Sequence, residues 1–420
     1  MNQIANPGRP RVLVVSDWYL PGRKGGGTVR SLVNLVDWLG DEFEFLVVTR
    51  DREPGDAGPF PGVRTGAWQA VGKASVFYRP PRRVELRFWR DLLASTPHDA
   101  LYLNNIFAAS VVQILLLRRV GMVATRHIVL APRGALAPGA LGLKWMKKAT
   151  YLQLSKWLGF HRNITWHATG KDEEGHVLKQ FRAASATTAR ADRTRGNLRD
   201  GSNVDIAPNL PPAPKPESSF PQRPNKRPGS ASVVFVGRVS RVKNLDVALA
   251  TLASVRGTVR LDIYGPIEDR QYWKECQEQA KRLPGNVRVE YRGVVSLDQV
   301  EPLMSSHDLL FLPTRGENFG HSILEALSSG CPVLISDKTP WSGVTTRRAG
   351  WAIALEDRGK LEAALQRLVD MDEPEFAAFS KAARELAREF VEEPGLLDAT
   401  RGLFLGSGRQ PLGREGTEDI

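Results

Sequence analysis

The sequence predicts an α/β protein made of two successive βα domains, each a parallel sheet covered by helices. Three observations carry this. Short β-branched runs alternate with longer helical stretches through the first half. A segment rich in proline, serine and charge then interrupts the pattern, and the same rhythm restarts after it. Alternating β and α units argue for a parallel sheet with helices on both faces. At 420 residues the chain also exceeds one ordinary domain.

In the first half the expected strands are Val12–Ser16, Phe45–Arg50, Ala100–Asn104, His127–Pro132 and Ile164–Thr169. Helical stretches such as Val29–Leu39 and Ala108–Arg119 lie between them. Pro211 to Ser232 has little to bury and reads as a linker. Beyond it come strands Val233–Gly237, Leu261–Gly265, Val287–Tyr291, Leu309–Pro313, Pro332–Ser336 and Trp351–Leu355. The expected layout is therefore a first domain over 1–210, a linker over 211–232 and a second domain over 233–390. A helical segment over 391–405 and a disordered tail over 406–420 complete it. Two such domains are expected to face a cleft between the carboxyl ends of their strands, where open α/β sheets bind ligands.

Composition excludes several classes. Apolar and charged fractions of 42% and 25% fit a globular protein. Cys276 and Cys331 are too few for a disulfide framework and lack metal-ligand spacing, which points to a reducing compartment. No secretory signal and no run of about 20 apolar residues is visible. A cytoplasmic location is expected, with association at the inner face of the membrane as a further expectation. The formal charge is +12, and Ala100 to Lys171 contains no Asp or Glu. That stretch carries Arg118, Arg119, Arg126, Arg133, Lys144, Lys147, Lys148, Lys156, Arg162 and Lys171. Such one-sided charge attracts phosphate groups, anionic lipid or nucleic acid. It is also compatible with a merely solvated face.

Within it, Leu141–Leu158 (LGLKWMKKATYLQLSKWL) mixes lysine with tryptophan and leucine. It reads equally as a membrane-surface helix and as a buried helix fringed with lysines.

The segment Pro313 to Pro340 (PTRGENFGHSILEALSSGCPVLISDKTP) carries the most chemistry. A strand ends at Pro313 and feeds a turn with Gly316 and Gly320; a helix begins near His321 or Ser322 and ends at Gly330. Backbone N–H groups at such a helix start suit a pyrophosphate. Glu317 precedes the helix and Glu325 lies about one turn inside it. The first can accept hydrogen bonds from sugar hydroxyls, and the second can clamp a ribose diol. Taken singly, Glu317 also reads as a surface loop charge and Glu325 as a residue favoured by the helix dipole.

The run Glu317-Asn-Phe-Gly-His-Ser-Ile-Leu-Glu325, followed by Gly330-Cys-Pro-Val, resembles the E-x7-E signature of retaining glycosyltransferases, above all family 4. That resemblance implies a GT-B fold of two Rossmann-like domains facing a central cleft. It assigns Glu317 to the donor sugar and Glu325 to the ribose. The loop around Phe319, Gly320, His321 and Ser322 would meet the sugar and diphosphate.

Phe235-Val-Gly-Arg-Val-Ser-Arg-Val-Lys-Asn-Leu resembles the family's G-R…K-N pattern, which places Arg238 and Lys243 on the diphosphate beside Gly237. Cations there stabilise charge that grows on the leaving group. The loop Leu20-Pro-Gly-Arg-Lys-Gly25-Gly26-Gly27-Thr28 is similar to the family's glycine-rich loop, so Gly26 and Gly27 are expected near the donor. A nicotinamide fingerprint would need glycine where Arg30 stands, and that reading fails on spacing. Leu261-Asp-Ile-Tyr-Gly265 and Tyr291-Arg-Gly293 resemble strand ends beside the base and ribose. Ala131-Pro-Arg-Gly134-Ala-Leu resembles a segment of a polysaccharide-synthesis branch. Many members place a His after that strand; Arg133 stands there instead and is expected at the acceptor, while His127 comes too early.

Taken together, the resemblance implies a retaining hexosyltransferase moving sugar from a nucleoside diphosphate sugar to a glycan or lipid-linked acceptor, in cell-surface polysaccharide synthesis. No cofactor beyond that substrate is expected. Metal-independent transfer is expected too, because Asp370-Met-Asp372 lies far from the glycine-rich turns. A GT-B epimerase or phosphorylase is the second reading. A non-catalytic nucleic-acid-binding protein is a remote third, since no nucleic-acid motif is present.

Overall fold

Parallel strands buried on both faces need near-continuous apolar runs, and the chain supplies them in two sets. The computed structural model describes residues 8–22, 25–53, 55–82, 84–125, 127–142, 145–181, 196–198, 201–212 and 225–406. Most of the expected linker (213–224) and tail (407–420), together with Arg126 and Lys144, lie outside the described residues.

The first sheet contains β1 (Arg11–Val15), β2 (Glu44–Arg50), β3 (Trp68–Val71), β4 (Ala74–Arg79), β5 (Ala100–Asn104), β6 (Ile128–Ala131), β7 (Thr165–Ala168), β8 (Gly196–Asn197) and β9 (Asn203–Ile206). Its order is β3-β4-β2-β1-β5-β6-β7-β9-β8. All neighbours run parallel except the edge pairs β3–β4 and β8–β9. The second sheet contains β10 (Ser230–Val236), β11 (Thr258–Tyr264), β12 (Val287–Gly293), β13 (Leu309–Leu312), β14 (Val333–Ser336) and β15 (Gly350–Ile353). Its order, β12-β11-β10-β13-β14-β15, is wholly parallel. Strand order reverses between β1 and β5 in one sheet and between β10 and β13 in the other. Ligands of doubly wound sheets sit at the carboxyl ends beside such reversals.

Every expected strand is present, with ends shifted by at most three residues. The last residues of the expected linker, Ser230–Ser232, already belong to β10, where Ser230 pairs with Thr258. The elements not anticipated include the β3–β4 hairpin, the β8–β9 pair and helices Leu86–Ser95 and Lys171–Phe181. The hairpin turns through Gly72, whose φ of +58° supplies the left-handed conformation that a two-residue connection requires.

Contacts divide the chain into two units: 1–22, 35–209 and 394–420 in the first, 23–34 and 210–393 in the second. The first is built on Leu13, Val15, Leu101, Leu103, Leu130 and Trp166, all at most 1% exposed. Helix Leu396–Leu405 joins this unit, where a straight cut along the sequence had set 391–405 apart. Its Phe404 ring meets Phe43, Phe45 and Tyr102 edge-on at 5.4 to 6.0 Å. Arg401 pairs with Glu42 at 2.7 Å, and His127 Nε2 donates to the Leu403 carbonyl at 2.6 Å. His127 is thereby a tether for that helix. The second unit closes around Val233, Phe235, Leu261, Phe311, Leu334 and Leu365. Asp372 caps helix Glu373–Val391 by accepting from the Glu375 amide, so the Asp370–Asp372 spacing serves a helix start.

Candidate functional site

The reversal between β10 and β13 collects the residues of interest in the second unit. Past Leu312 the chain enters a loop held on two sides. On one side, Arg315 N donates to the Val242 carbonyl at 2.8 Å and Arg315 Nε to Asn244 Oδ1 at 2.9 Å. On the other, the Glu317 amide donates to the Lys338 carbonyl at 3.2 Å, and Ser336 Oγ to the Thr314 carbonyl at 2.5 Å. Buried Thr314 braces the turn from within, its hydroxyl accepting from the Gly316 amide. The loop after β10 is thus stitched to the loop after β13. Asn244 takes a left-handed φ of +51° to start helix Leu245–Leu252.

This stitching brings Lys243 against Glu317. Their side chains form an ion pair, and each is only about an eighth exposed (14% and 13%). Arg238 sits at the end of the same strand, in an open pair with Glu268 at 2.7 Å. Gly237 and Gly265 lie where neighbouring strands end at close quarters. Gly265 has φ +138°, and a Cβ there would lie 2.0 Å from the Gly237 carbonyl oxygen. No side chain fits.

Gly320 ends the loop with φ +83° and begins helix His321–Ser328. A Cβ on it would press on Ile323 at 2.9 Å and on the Trp341 ring at 3.3 Å. No side chain caps this helix, and the Ile323 and Leu324 amides turn back onto the Gly320 carbonyl at 2.9 and 3.1 Å, so what the helix presents to an anion is the positive end of its dipole. Phe319 is buried, its carbonyl accepting from Trp341 Nε1 at 2.6 Å and its ring 4.7 Å from that of His321. Ser322 follows on the first turn.

Residues 25–34 belong to this unit and approach the same helix. His321 Nε2 lies 2.9 Å from Ser31 Oγ, which donates to the Gly27 carbonyl at 2.8 Å. With that hydroxyl proton committed to Gly27, Nε2 is the donor to Ser31. Gly27 packs where a Cβ would meet His321 at 3.4 Å, and Gly26 adopts φ +52° beside it. Arg30 reaches Glu325, Nε to Oε1 at 2.9 Å. These side chains are 10% and 2% exposed, which makes this a buried ion pair. Arg30 was read from sequence only as a break in a nicotinamide fingerprint. Its signal was an arginine set between Val29 and Leu32, two buried apolar positions of the helix.

The structure therefore brings together Lys243, Glu317, Phe319, Gly320, His321, Ser322, Glu325, Gly26, Gly27, Gly237, Gly265 and Arg238 within one unit. Arg133 lies in the other. There, at φ +57°, it fans its guanidinium over three neutral acceptors: Asn104 Oδ1 (3.0 Å), Asn209 Oδ1 (2.6 Å) and Tyr102 Oη (2.6 Å). The Tyr102 hydroxyl meets His167 Nδ1 at 2.7 Å, and His167 Nε2 meets the Ala207 carbonyl at 2.8 Å. A carbonyl can only accept, so Nε2 carries the proton and Nδ1 accepts from tyrosine. Burial first, and the Arg133 charge second, push the His167 pKa down to about 4. Glu173 completes the turn, accepting from the Gly134 amide at 2.6 Å and the Thr169 amide at 2.9 Å. Among the described residues no cluster of three or more His, Cys, Asp or Glu could hold a metal ion.

Residues 230–371 match the family described as glycosyl transferases group 1. An uncharacterized glycosyltransferase of Methanocaldococcus jannaschii is 29% identical over 107 residues, covering 25% of this chain and 26% of its own. The 2-deoxystreptamine N-acetyl-D-glucosaminyltransferase of Streptomyces fradiae is 26% identical over 206 residues, 47% of this chain and 48% of its own. The matches thus span about a quarter and about half of these relatives. Among solved structures, Anabaena HepE in complex with UDP and glucose superposes with a TM-score of 0.62 at 15% identity, covering 94% of this chain and 98% of that one. The fold is that of the two-domain GT-B glycosyltransferases.

Proposed function

We propose that the protein is a retaining glycosyltransferase that moves a sugar from a nucleoside diphosphate sugar to a hydroxyl on a glycan or lipid-linked acceptor in cell-surface polysaccharide synthesis. The observation that carries this reading is the pair of carboxylate–cation contacts, Glu317–Lys243 and Glu325–Arg30, beside the β10/β13 reversal. The match of residues 230–371 to group 1 glycosyl transferases supports it, as does the nucleotide bound by the HepE relative in fold.

The chemistry follows from what each pair can exchange. An arriving diphosphate competes with Glu317 for the Lys243 ammonium and with Glu268 for Arg238. Phosphate oxygens take over the cations, and the Glu317 carboxylate is released to accept from sugar hydroxyls. The N-terminus of helix His321–Ser328 turns the positive end of its dipole to the same phosphates. As the anomeric C–O bond breaks, its electron pair moves to the diphosphate, where Lys243 and Arg238 stabilise the growing charge. The acceptor hydroxyl adds to the anomeric carbon on the face the diphosphate leaves, and its proton passes to the departing phosphate oxygen. Glu317 supports positive charge on the sugar without forming a bond to it. No metal is required, since cations and helix dipole meet the diphosphate. Arg133 keeps a positive charge among neutral partners and is the acceptor-side contact.

A thermal-shift panel of UDP-, GDP- and ADP-sugars tests the donor. A ligand at about a hundred times its Kd stabilises by about 2.7 kcal/mol, a shift of several degrees. One nucleotide class should stand out, and the sugar it carries should then appear on a carbohydrate acceptor with its anomeric configuration kept. No shift with any donor overturns the proposal. Free sugar or an inverted epimer as the sole product replaces it with hydrolysis or epimerisation.

A further inference from the structure

Helix Trp145–Trp157 turns an apolar stripe outward. Leu152 and Ser155 are buried at 4% and 0% and hold the helix on the first unit. On the opposite side, Met146, Thr150, Leu154 and Trp157 follow at intervals of three and four, a single stripe. Met146 is 65% exposed, Leu154 51% and Trp157 81%. At about 1.5 Å per residue the stripe runs about 16 Å. The surface continues past the helix end. Arg119 Nε donates to the Leu158 carbonyl at 2.6 Å, and Arg118 donates to the Arg162 carbonyl at 2.8 Å. These bonds set exposed Val120 and Met122 beside Trp157's end of the helix. Six of the ten large hydrophobic residues described as exposed fall within 120–157: Val120, Met122, Trp145, Met146, Leu154 and Trp157.

Charge identifies what would cover this face. Arg119, Lys147 and Arg162 are exposed along its margin. None of these three pairs with a carboxylate among the described residues, and residues 100–171 contain no acid. A helix with tryptophan and leucine outward, rimmed by unopposed cations, has the composition of one lying in the headgroup zone of an anionic bilayer. Among the described residues no helix is long and apolar enough to cross a membrane, so contact is with the surface.

We propose that this face docks the first unit on the anionic surface of a lipid bilayer, with Met146, Leu154 and Trp157 entering the interface and Arg119, Lys147 and Arg162 meeting lipid phosphates. The inference stands apart from the catalytic reading, because membrane binding is measured without substrate.

The test is co-sedimentation of the full chain with two kinds of vesicle, phosphatidylcholine alone and phosphatidylcholine mixed equally with phosphatidylglycerol. Binding is expected to the anionic vesicles, falling as salt is raised. Leu154→Ser with Trp157→Ser should lower partitioning about tenfold or more. Lys147→Gln with Arg162→Gln should lower it about fivefold per charge. All four positions are exposed, so circular dichroism and Tm should stay unchanged. Equal binding to both vesicle types, or unaltered binding of both variants, overturns the proposal. A concentration-dependent dimer that Trp157→Ser abolishes, with no vesicle binding, overturns it in favour of a second copy of this chain.

Discussion

The site cations of the second unit and Arg133 of the first are held in opposite ways. In the second, the cations at the β10/β13 reversal stand against carboxylates: Lys243 on Glu317, Arg30 on Glu325, Arg238 on Glu268. In the first, Arg133 is bound by two asparagine oxygens and a phenol. A cation–carboxylate pair is locally neutral, and an incoming anion can displace one partner and free the other. A guanidinium held by neutral oxygens keeps its full charge whatever binds. The contrast suits one site that exchanges partners and one that presents a standing positive potential. It also has an energetic side. Breaking a buried pair leaves an uncompensated charge, while an exposed pair such as Arg238–Glu268 contributes little to stability.

The largest effect should come from Glu317→Gln. The amide cannot offer charge to the sugar, and transfer should fall at least a hundredfold by product assay while nucleotide still raises Tm. Transfer at the normal rate would break the comparison, because Glu317 would then be only a counter-ion for Lys243. Next is Arg30→Met, which takes the cation away from a buried Glu325 carboxylate and should cost about 3 kcal/mol in urea unfolding. Adding Glu325→Gln should restore most of that. If the double variant is no better than the single, the Arg30 side chain matters for packing and not for its charge. The smallest effect is a pH slope in the first unit.

Buried His167 stays neutral in the folded state down to about 4, while the unfolded chain takes up its proton near 6.5. Its contribution is therefore complete above about 6.5 and is lost as pH falls toward about 4. His167→Gln should make stability against pH shallower across that window. An unchanged slope would assign the acid sensitivity elsewhere; His161, with a pKa pushed down to about 3 by burial, then becomes the next residue to replace.

Much of the second unit could be read directly. Glu317, Gly320, His321 and Glu325 lie within one short segment, and strand–turn–helix signals are local. Arg238 and Lys243 follow a strand whose apolar run is unmistakable. The first unit was read less completely. In its hairpin, β3 is four residues long with none buried, and β4, although Ala74, Val76 and Tyr78 are buried, is only six residues long. Arg133 was singled out by position, yet none of its three partners was, because Tyr102 and Asn104 on β5 and Asn209 beyond β9 lie 29 to 76 positions away along the chain. The outward apolar stripe of Trp145–Trp157 was ambiguous for a related reason: apolar residues sit on both sides of that helix, and only packing reveals which side is covered.

What the sequence by itself determined is what neighbours along the chain decide. That includes the strands, the glycine turns and the spacing of Glu317 and Glu325, since hydrophobic period and turn chemistry act over a few residues. Tertiary structure alone decided the pairings across the chain. Ser31 meets His321 across 290 positions, Arg30 closes on Glu325, and helix Leu396–Leu405 returns to the unit that contains β1. Such contacts depend on where separate elements come to rest, and burial makes them specific. A charge removed from water must find its partner wherever the fold has placed it.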